Sequence, residues 1–173
     1  FFILGRFMIR HANINDVEEI VKIIDQAKAY LKSKNIDQWQ HGYPNDTDVI
    51  NDINNGHGYV LVNDRVVGYA AIIYGHDDNY DYIEDGKWLN DDKYGVIHRI
   101  CIDDSLKGKG LASEFFEYAA DRALALGFNN LRVDTHPENK SMQRLIAKNG
   151  FIKCGIVYMS DKTSRYAYQK VLK

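Results

Sequence analysis

The chain has 173 residues, 45% of them hydrophobic and 27% charged, with a formal net charge of −2. That balance excludes a disordered chain, and the length suits one domain with its own core. The lack of a dense Lys/Arg cluster argues against a nucleic-acid-binding face, and the apolar runs are too short for a membrane span, so neither partner is expected. Residues 1–7 (FFILGRF) stand before a natural-looking opening at Met8. They read as a tag or N-terminal extension rather than a signal peptide, and residues 8–173 as a single domain. Cys101 and Cys154 belong to no CxxC pair, which predicts two buried thiols and a reducing, cytoplasmic setting.

In chain order, Met8 to His11 reads as a strand. Asn15, with Glu18 three residues on, predicts the capping box of a helix. Val17, Ile20, Val21, Ile24, Ala27 and Leu31 continue that helix at helical spacing to about Lys34. Residues 35–45 read as a loop, and Val49 to Ile53 as a short second helix closed by Gly56 and Gly58. Tyr59 to Val62 and Val66 to Tyr74 are two strands of a hairpin turned at Asn63-Asp64-Arg65. Residues 75–93 are polar and aromatic and read as an inserted loop, followed by a strand at Tyr94 to Ile102. Gly110 to Leu126 is the strongest helix, with an apolar stripe of Leu111, Phe115, Ala119 and Ala123 and a stop at Gly127. Leu131 to Thr135 is a strand, Asn139 to Asn149 a helix stopped by Gly150, and Phe151 to Met159 and Arg165 to Val171 are closing strands. The order β-α-α-β-β-β-α-β-α-β-β predicts an α/β (α+β) fold with a mixed sheet.

The sharpest local feature is Lys107-Gly108-Lys109-Gly110-Leu111-Ala112-Ser113, which follows a strand and opens the best helix. The first amides of a helix lack internal partners and sit at the positive end of its dipole. Glycines let a bulky anion approach them, so a pyrophosphate suits the site. A glycine-rich turn without a ligand is the alternative. A P-loop needs GxxxxGK[ST], which is absent. A dinucleotide fingerprint needs GxGxxG tight against its strand, whereas Ser113 replaces the third glycine and Asp103 to Lys107 intervene.

These residues resemble the coenzyme A loop of the GNAT N-acetyltransferase superfamily, Arg/Gln-x-x-Gly-x-Gly/Ala, with Lys107, Gly110 and Ala112 at the matching positions. Asn139 to Phe151 (NKSMQRLIAKNGF) is similar to the family's Asn-x-x-Ala-x-x-Leu-Tyr-x-x-x-Gly-Phe segment. Asn139, Leu145, Gly150 and Phe151 match, Met142 replaces a small residue, and Ile146 stands where many members have a tyrosine thought to protonate the departing thiol. The resemblance covers about residues 8–172 and implies a splayed central sheet flanked by helices, with acetyl-CoA as co-substrate and no metal. It also implies a homodimer. By analogy the main chain of Ile100, Cys101 and Ile102 pairs with the pantetheine arm, and Asn139 bonds it. The implied activity is acetyl transfer to a primary amine of a small-molecule acceptor, directly in a ternary complex. A catalytically silent acyl-CoA-binding regulator is the alternative.

The acceptor amine must attack as the neutral base, and a lysine-like amine with a pKa of about 10.4 is mostly protonated at pH 7. His98, just before the cofactor-pairing segment, is a candidate base, or else a histidine bonded within the sheet. Asp134 and His136 form a candidate proton relay, or else brace the turn at Pro137. Tyr158 is a candidate acid, or else an ordinary core or edge tyrosine. Trp39, Tyr43, Tyr80 and Trp88 either line an acceptor pocket or anchor their loops. Glu84 and Asp85 either attract a cationic amine or belong to a solvated acidic loop.

Overall fold

A computed structural model describes residues 6–173, so most of the stretch read as an N-terminal extension, residues 1–5, lies outside the described residues. Among the described residues, seven strands are linked by hydrogen bonds into one sheet of order β1-β2-β3-β4-β5-β7-β6. They are β1 (Met8–His11), β2 (Gly58–Asn63), β3 (Arg65–Tyr74), β4 (Tyr94–Ile102), β5 (Asn130–Thr135), β6 (Ile152–Tyr158) and β7 (Ser164–Val171). The helices are α1 (Val17–Ser33), α2 (Asp46–Asn54), α3 (Ala112–Ala125) and α4 (Lys140–Lys148). β4 and β5 run parallel, while β1/β2, β2/β3, β5/β7 and β6/β7 are antiparallel, so the sheet is mixed as expected.

Two expected boundaries move. The cap before α1 is Asn13, not Asn15: Asn13 Oδ1 accepts the Asn15 N–H and Asp16 returns the bond to the Asn13 N–H, so a short 3-10 turn precedes the helix. α3 begins at Ala112, not Gly110, because Gly110 adopts φ +73°, outside the helical region.

The chain divides into two compact units. The first holds the chain through Ile72 together with Arg99–Phe115. Its core brings Ile20, Ile23 and Ile24 of α1 against Val49 of α2, Val60, Tyr69 and Cys101. Gly68 is needed on β3: a Cβ there would lie 2.8 Å from Ile102 Cδ1 and 3.2 Å from the Phe115 ring.

The second unit holds Ile73–His98 and Phe116–Lys173. Within it the inserted segment 75–93 is pinned down. Glu84 and Ile156 exchange main-chain hydrogen bonds of 2.8 Å, an extra bridge on the edge of β6. Two glycines permit this approach. A Cβ on Gly86 would fall 1.9 Å from the Cys154 carbonyl oxygen, and one on Gly155 2.5 Å from the Glu84 carbonyl oxygen. Overpacking of this kind costs about 1–3 kcal/mol. Gly86→Ala should therefore lower the thermal midpoint by roughly 2–12 °C in a chain of this size. Circular-dichroism melts check this, and an unmoved midpoint would mean that the segment is seated elsewhere.

Candidate active site

In the first unit, β4 ends in a well-tied turn. Asp103 Oδ1 accepts the Ser105 N–H at 2.9 Å, Arg65 reaches Asp103 Oδ2 at 3.3 Å, and Gln26 Oε1 takes the Asp104 N–H at 2.9 Å. The Ser105 bonds, against a small burial penalty and with help from Arg65, bring the Asp103 carboxyl down to about 2. This folded-state value lies below the unfolded one. The carboxylate therefore contributes its full stabilisation above the ordinary carboxylate range and loses it as pH falls toward 2.

Beyond this turn, Gly108 and Gly110 take φ +78° and +73°, and at either position a Cβ would meet nothing within 4 Å. Among the described residues, no carbonyl receives the main-chain N–H groups of Gly108, Lys109, Gly110 or Leu111. The next two amides turn back tightly, Ser113 N–H to Gly110 O at 3.2 Å and Glu114 N–H to Leu111 O at 3.1 Å. The result is a run of donors, exposed at Gly108 to Gly110, at the positive end of a 14-residue helix. The Lys107 ammonium already has partners: Asp104 Oδ1 at 2.8 Å and the Tyr30 ring, whose centroid lies 4.3 Å away. An anion at this turn therefore meets main-chain amides first.

Ile100 and Cys101 are buried, and Ile102 is half-buried. β5 pairs with β4 only at Tyr94–Val96, so the ladder on that edge stops before these residues. The Cys101 thiol is pushed up to about 12 by burial, only partly opposed by a main-chain bond from Tyr69 and the charge of Lys107. Burial therefore keeps it in the thiol form at neutral pH, whereas a nucleophile needs the thiolate.

One cluster in this unit escaped sequence reasoning. Arg99 donates Nε–H to Asp52 Oδ2 at 2.9 Å, Nη2–H to Asp52 Oδ1 at 2.5 Å and Nη1–H to the Tyr43 hydroxyl at 2.5 Å. Tyr69 donates its hydroxyl to Asp52 Oδ2 at 2.5 Å. The only prior signal was a charged residue, Arg99, in an otherwise apolar strand end. Tyr43 thus faces Arg99, while Trp39 is half-buried in the same loop with φ +64°.

In the second unit, His98 Nε2 lies 3.1 Å from Asp77 Oδ2. Both side chains keep limited contact with solvent, 23% and 18%. Burial raises the Asp77 carboxyl, but the hydrogen bond and charge of His98 and the Asn79 amide outweigh it, so its pKa falls below the usual value. Asp77 also lines a cavity of about 300 Å³ with Ile73, Gly75, His76, Asp78, Asn79 and Val96. His98 therefore pairs with a carboxylate of the 75–93 segment rather than with a sheet neighbour.

The other expected residues of this unit are placed as follows. Asp134 accepts the Tyr80 hydroxyl at 2.6 Å, and His136 Nδ1 accepts the Glu138 N–H at 3.1 Å, bracing the turn at Pro137. Asn139 caps α4, taking the Met142 N–H at 3.2 Å. Tyr158 is exposed and donates to Glu84, which raises its pKa. Ile146, at the position of the expected tyrosine, is fully buried. Tyr80 and Trp88 depart from the reading as pocket aromatics. Tyr80 is 2% exposed, and Trp88 donates to its carbonyl at 2.9 Å and covers Arg132, whose guanidinium carbon sits 4.0 Å from the Trp88 and Tyr94 ring centroids. Their apolar area is used to hold the segment down. His76, Asp78 and Asp81 bring ligand-type atoms within 4.8 Å of one another, but all three are exposed and pair among themselves.

The model of the acetyltransferase (GNAT) family matches residues 23–151. A GNAT-family acetyltransferase from Streptococcus agalactiae is 38% identical over 96% of both chains, with a TM-score of 0.86. The chain belongs to the GNAT acetyltransferase family. A GNAT-family structure from Listeria monocytogenes is 23% identical, covers 96% of this chain and 95% of that one, and has a TM-score of 0.74. A NatC complex bound to Gag peptide and coenzyme A is 15% identical, covers 97% of this chain and 99% of that one, and has a TM-score of 0.68. These last two show the fold alone. No curated protein sequence matches. The mixed α/β architecture expected from the resemblance is therefore the GNAT fold, and the chain is an acetyltransferase that uses acetyl-CoA. Among the described residues no helix is long and apolar enough to cross a membrane.

Proposed function

We propose that this GNAT acetyltransferase moves the acetyl group to the primary amine of a small, cationic acceptor by direct transfer, with residues 8–173 acting as one catalytic domain. The observation that carries this reading is the Asp77 carboxylate, which holds His98 and also lines the 300 Å³ cavity beside Asp78. A protonated amine is drawn to such an acid-lined cavity, and an imidazole next to a carboxylate is suited to take its proton.

The donor amides of Gly108 to Leu111 fit the diphosphate of acetyl-CoA, and the main chain of Ile100 to Ile102 fits its pantetheine arm. Acetyl-CoA supplies an activated thioester carbonyl. Under this reading His98, two residues before Ile100 on β4, accepts the amine proton as the C–N bond forms. A main-chain N–H at Ile100 to Ile102 donates to the carbonyl oxygen as negative charge builds. The C–S bond then breaks, and the thiolate, whose parent thiol has a pKa of about 8.5, needs no strong acid to leave. Tyr158 has no necessary part, because its hydroxyl is committed to donating to Glu84, which raises its pKa. Asp134 and His136 act as braces, and Glu84, in the same unit as the cavity, remains an acceptor-side candidate.

Direct transfer requires that no side chain carry the acetyl group. Cys101→Ala should keep within about threefold of wild-type turnover, since its thiol is buried and protonated. Initial-rate patterns with acetyl-CoA and an amine should intersect, as for a ternary complex; parallel lines, or loss of turnover in Cys101→Ala, would overturn the direct route. A screen of amines for thiol release tests the acceptor class, with polyamines and diamines expected ahead of neutral amines and of peptides with free N-termini. The buried Ile146 in place of a tyrosine favours the second reading, a silent acyl-CoA binder. That reading holds if coenzyme A binds and no amine releases thiol.

A further inference from the structure

Arg99 is a non-glycine residue with φ +54° inside a strand, where L side chains are strained. It stands directly between His98 and Ile100. Its side chain is 14% exposed and that of Asp52 7%, so the fork between them is a largely buried ion pair. Such a pair carries a desolvation penalty that only excellent geometry and further hydrogen bonds offset. Both are present: the fork is bidentate, and the Tyr69 hydroxyl brings the donors on Asp52 to three. Asp52 also sits in the last turn of α2, the negative end of a helix, where an unpaired carboxylate is disfavoured. A strained backbone, a buried pair and an unfavourably placed acid all converge on one step of β4. An ordinary apolar residue in extended conformation would fill that position without any of them. Strain of this kind persists where the surroundings over-determine it, and it clusters at functional positions.

We propose that Arg99 is a positioning residue. The Asp52–Tyr69 clamp on its guanidinium holds the left-handed step in β4 and so sets the direction in which Ile100, Cys101 and Ile102 present their main-chain N–H and C=O groups. The proposal rests on the reading that these groups hold the thioester arm. The Tyr43 hydroxyl, 2.5 Å from Arg99 Nη1, ties the 35–45 loop to the same clamp. The Asp52 carboxylate keeps Arg99 firmly charged despite its burial.

The test uses the full chain with four substitutions, Arg99→Gly, Arg99→Lys, Asp52→Asn and Tyr69→Phe, and acetyl-CoA labelled with ¹³C at the carbonyl. Glycine is the informative one: it adopts φ +54° without strain, so the step remains accessible but is no longer clamped. Bound wild-type enzyme should show a displaced carbonyl resonance, the signature of a donor aimed at that oxygen. In Arg99→Gly and Asp52→Asn the resonance should return toward its free position, and turnover per folded molecule should fall on the order of 10²-fold. Coenzyme A affinity should change less than about tenfold, because the loop amides are untouched. Arg99→Lys keeps the charge without the fork and should resemble glycine more than wild type. If Asp52→Asn fails to fold, Arg99→Gly and Tyr69→Phe still decide the matter. Folded variants with a wild-type resonance and wild-type turnover overturn the proposal, leaving the cluster a purely structural pair. An undisplaced resonance in the wild type itself overturns the underlying thioester reading instead.

Discussion

Gly110→Val is expected to remove coenzyme A binding while the fold stays in place. The wild-type glycine takes φ +73°, and no atom lies within 4 Å of where a Cβ would stand, so added carbons meet open space rather than the core. What they obstruct is the approach of an anion to the donors of Gly108 to Leu111. A β-branched residue is also strained in the left-handed region, which turns the amides away from their present direction. A hydrogen bond to a charged group contributes about 1.5–3 kcal/mol, so losing two of them weakens binding by roughly 10²- to 10⁴-fold. Titration calorimetry with coenzyme A should show no resolvable heat, beside a thermal midpoint lowered by only a few degrees. Lys107→Ala should matter far less, because its ammonium is already engaged by Asp104 and Tyr30. Wild-type affinity in Gly110→Val, or a larger loss in Lys107→Ala, would move the diphosphate away from this turn.

The second large effect is expected at His98. A positioned general base contributes about 10²–10⁴-fold, so His98→Ala should reduce turnover by that order with little change in coenzyme A affinity. Asp77→Asn should give a smaller loss, because the imidazole keeps its place but loses the carboxylate that fixes it. The same pair affects stability in a definite direction. The Asp77 carboxyl sits below its ordinary value, so the pair's contribution is present above the carboxylate range and is lost as pH falls through it. Added imidazole restoring turnover to His98→Ala would support the role, whereas wild-type turnover in His98→Ala would remove it.

Much of this molecule is legible in its sequence, and the illegible parts share a cause. Strands and helices follow from local period, so the bounds of β4 can be read from its apolar run and the stop of α3 from Gly127. The glycine turn is legible because backbone freedom is written into residue type. Tertiary partners are not. Arg99 and Asp52 are 47 residues apart, and nothing local announces that a strand arginine will take φ +54° to reach a carboxylate on α2. His98 stands out in the sequence, but its partner Asp77 is hidden in a segment that looks like solvated loop. The same segment misleads about Tyr80 and Trp88: without secondary structure of its own it reads as exposed, yet its aromatics are packed on Arg132 and Tyr94. The cap before α1 slips two residues because Asn13 and Asn15 are chemically equivalent and only the geometry chooses between them.

The two tryptophans, Trp39 and Trp88, fall one in each compact unit. Trp88 lies against a cationic guanidinium and a tyrosine ring, whereas Trp39 is half-buried in its loop, so their fluorescence should differ in colour and in quenching. With either indole replaced by phenylalanine, the survivor becomes a built-in optical label for its own unit. Loosening of one half of the enzyme during unfolding can then be followed separately from the other, with no dye attached.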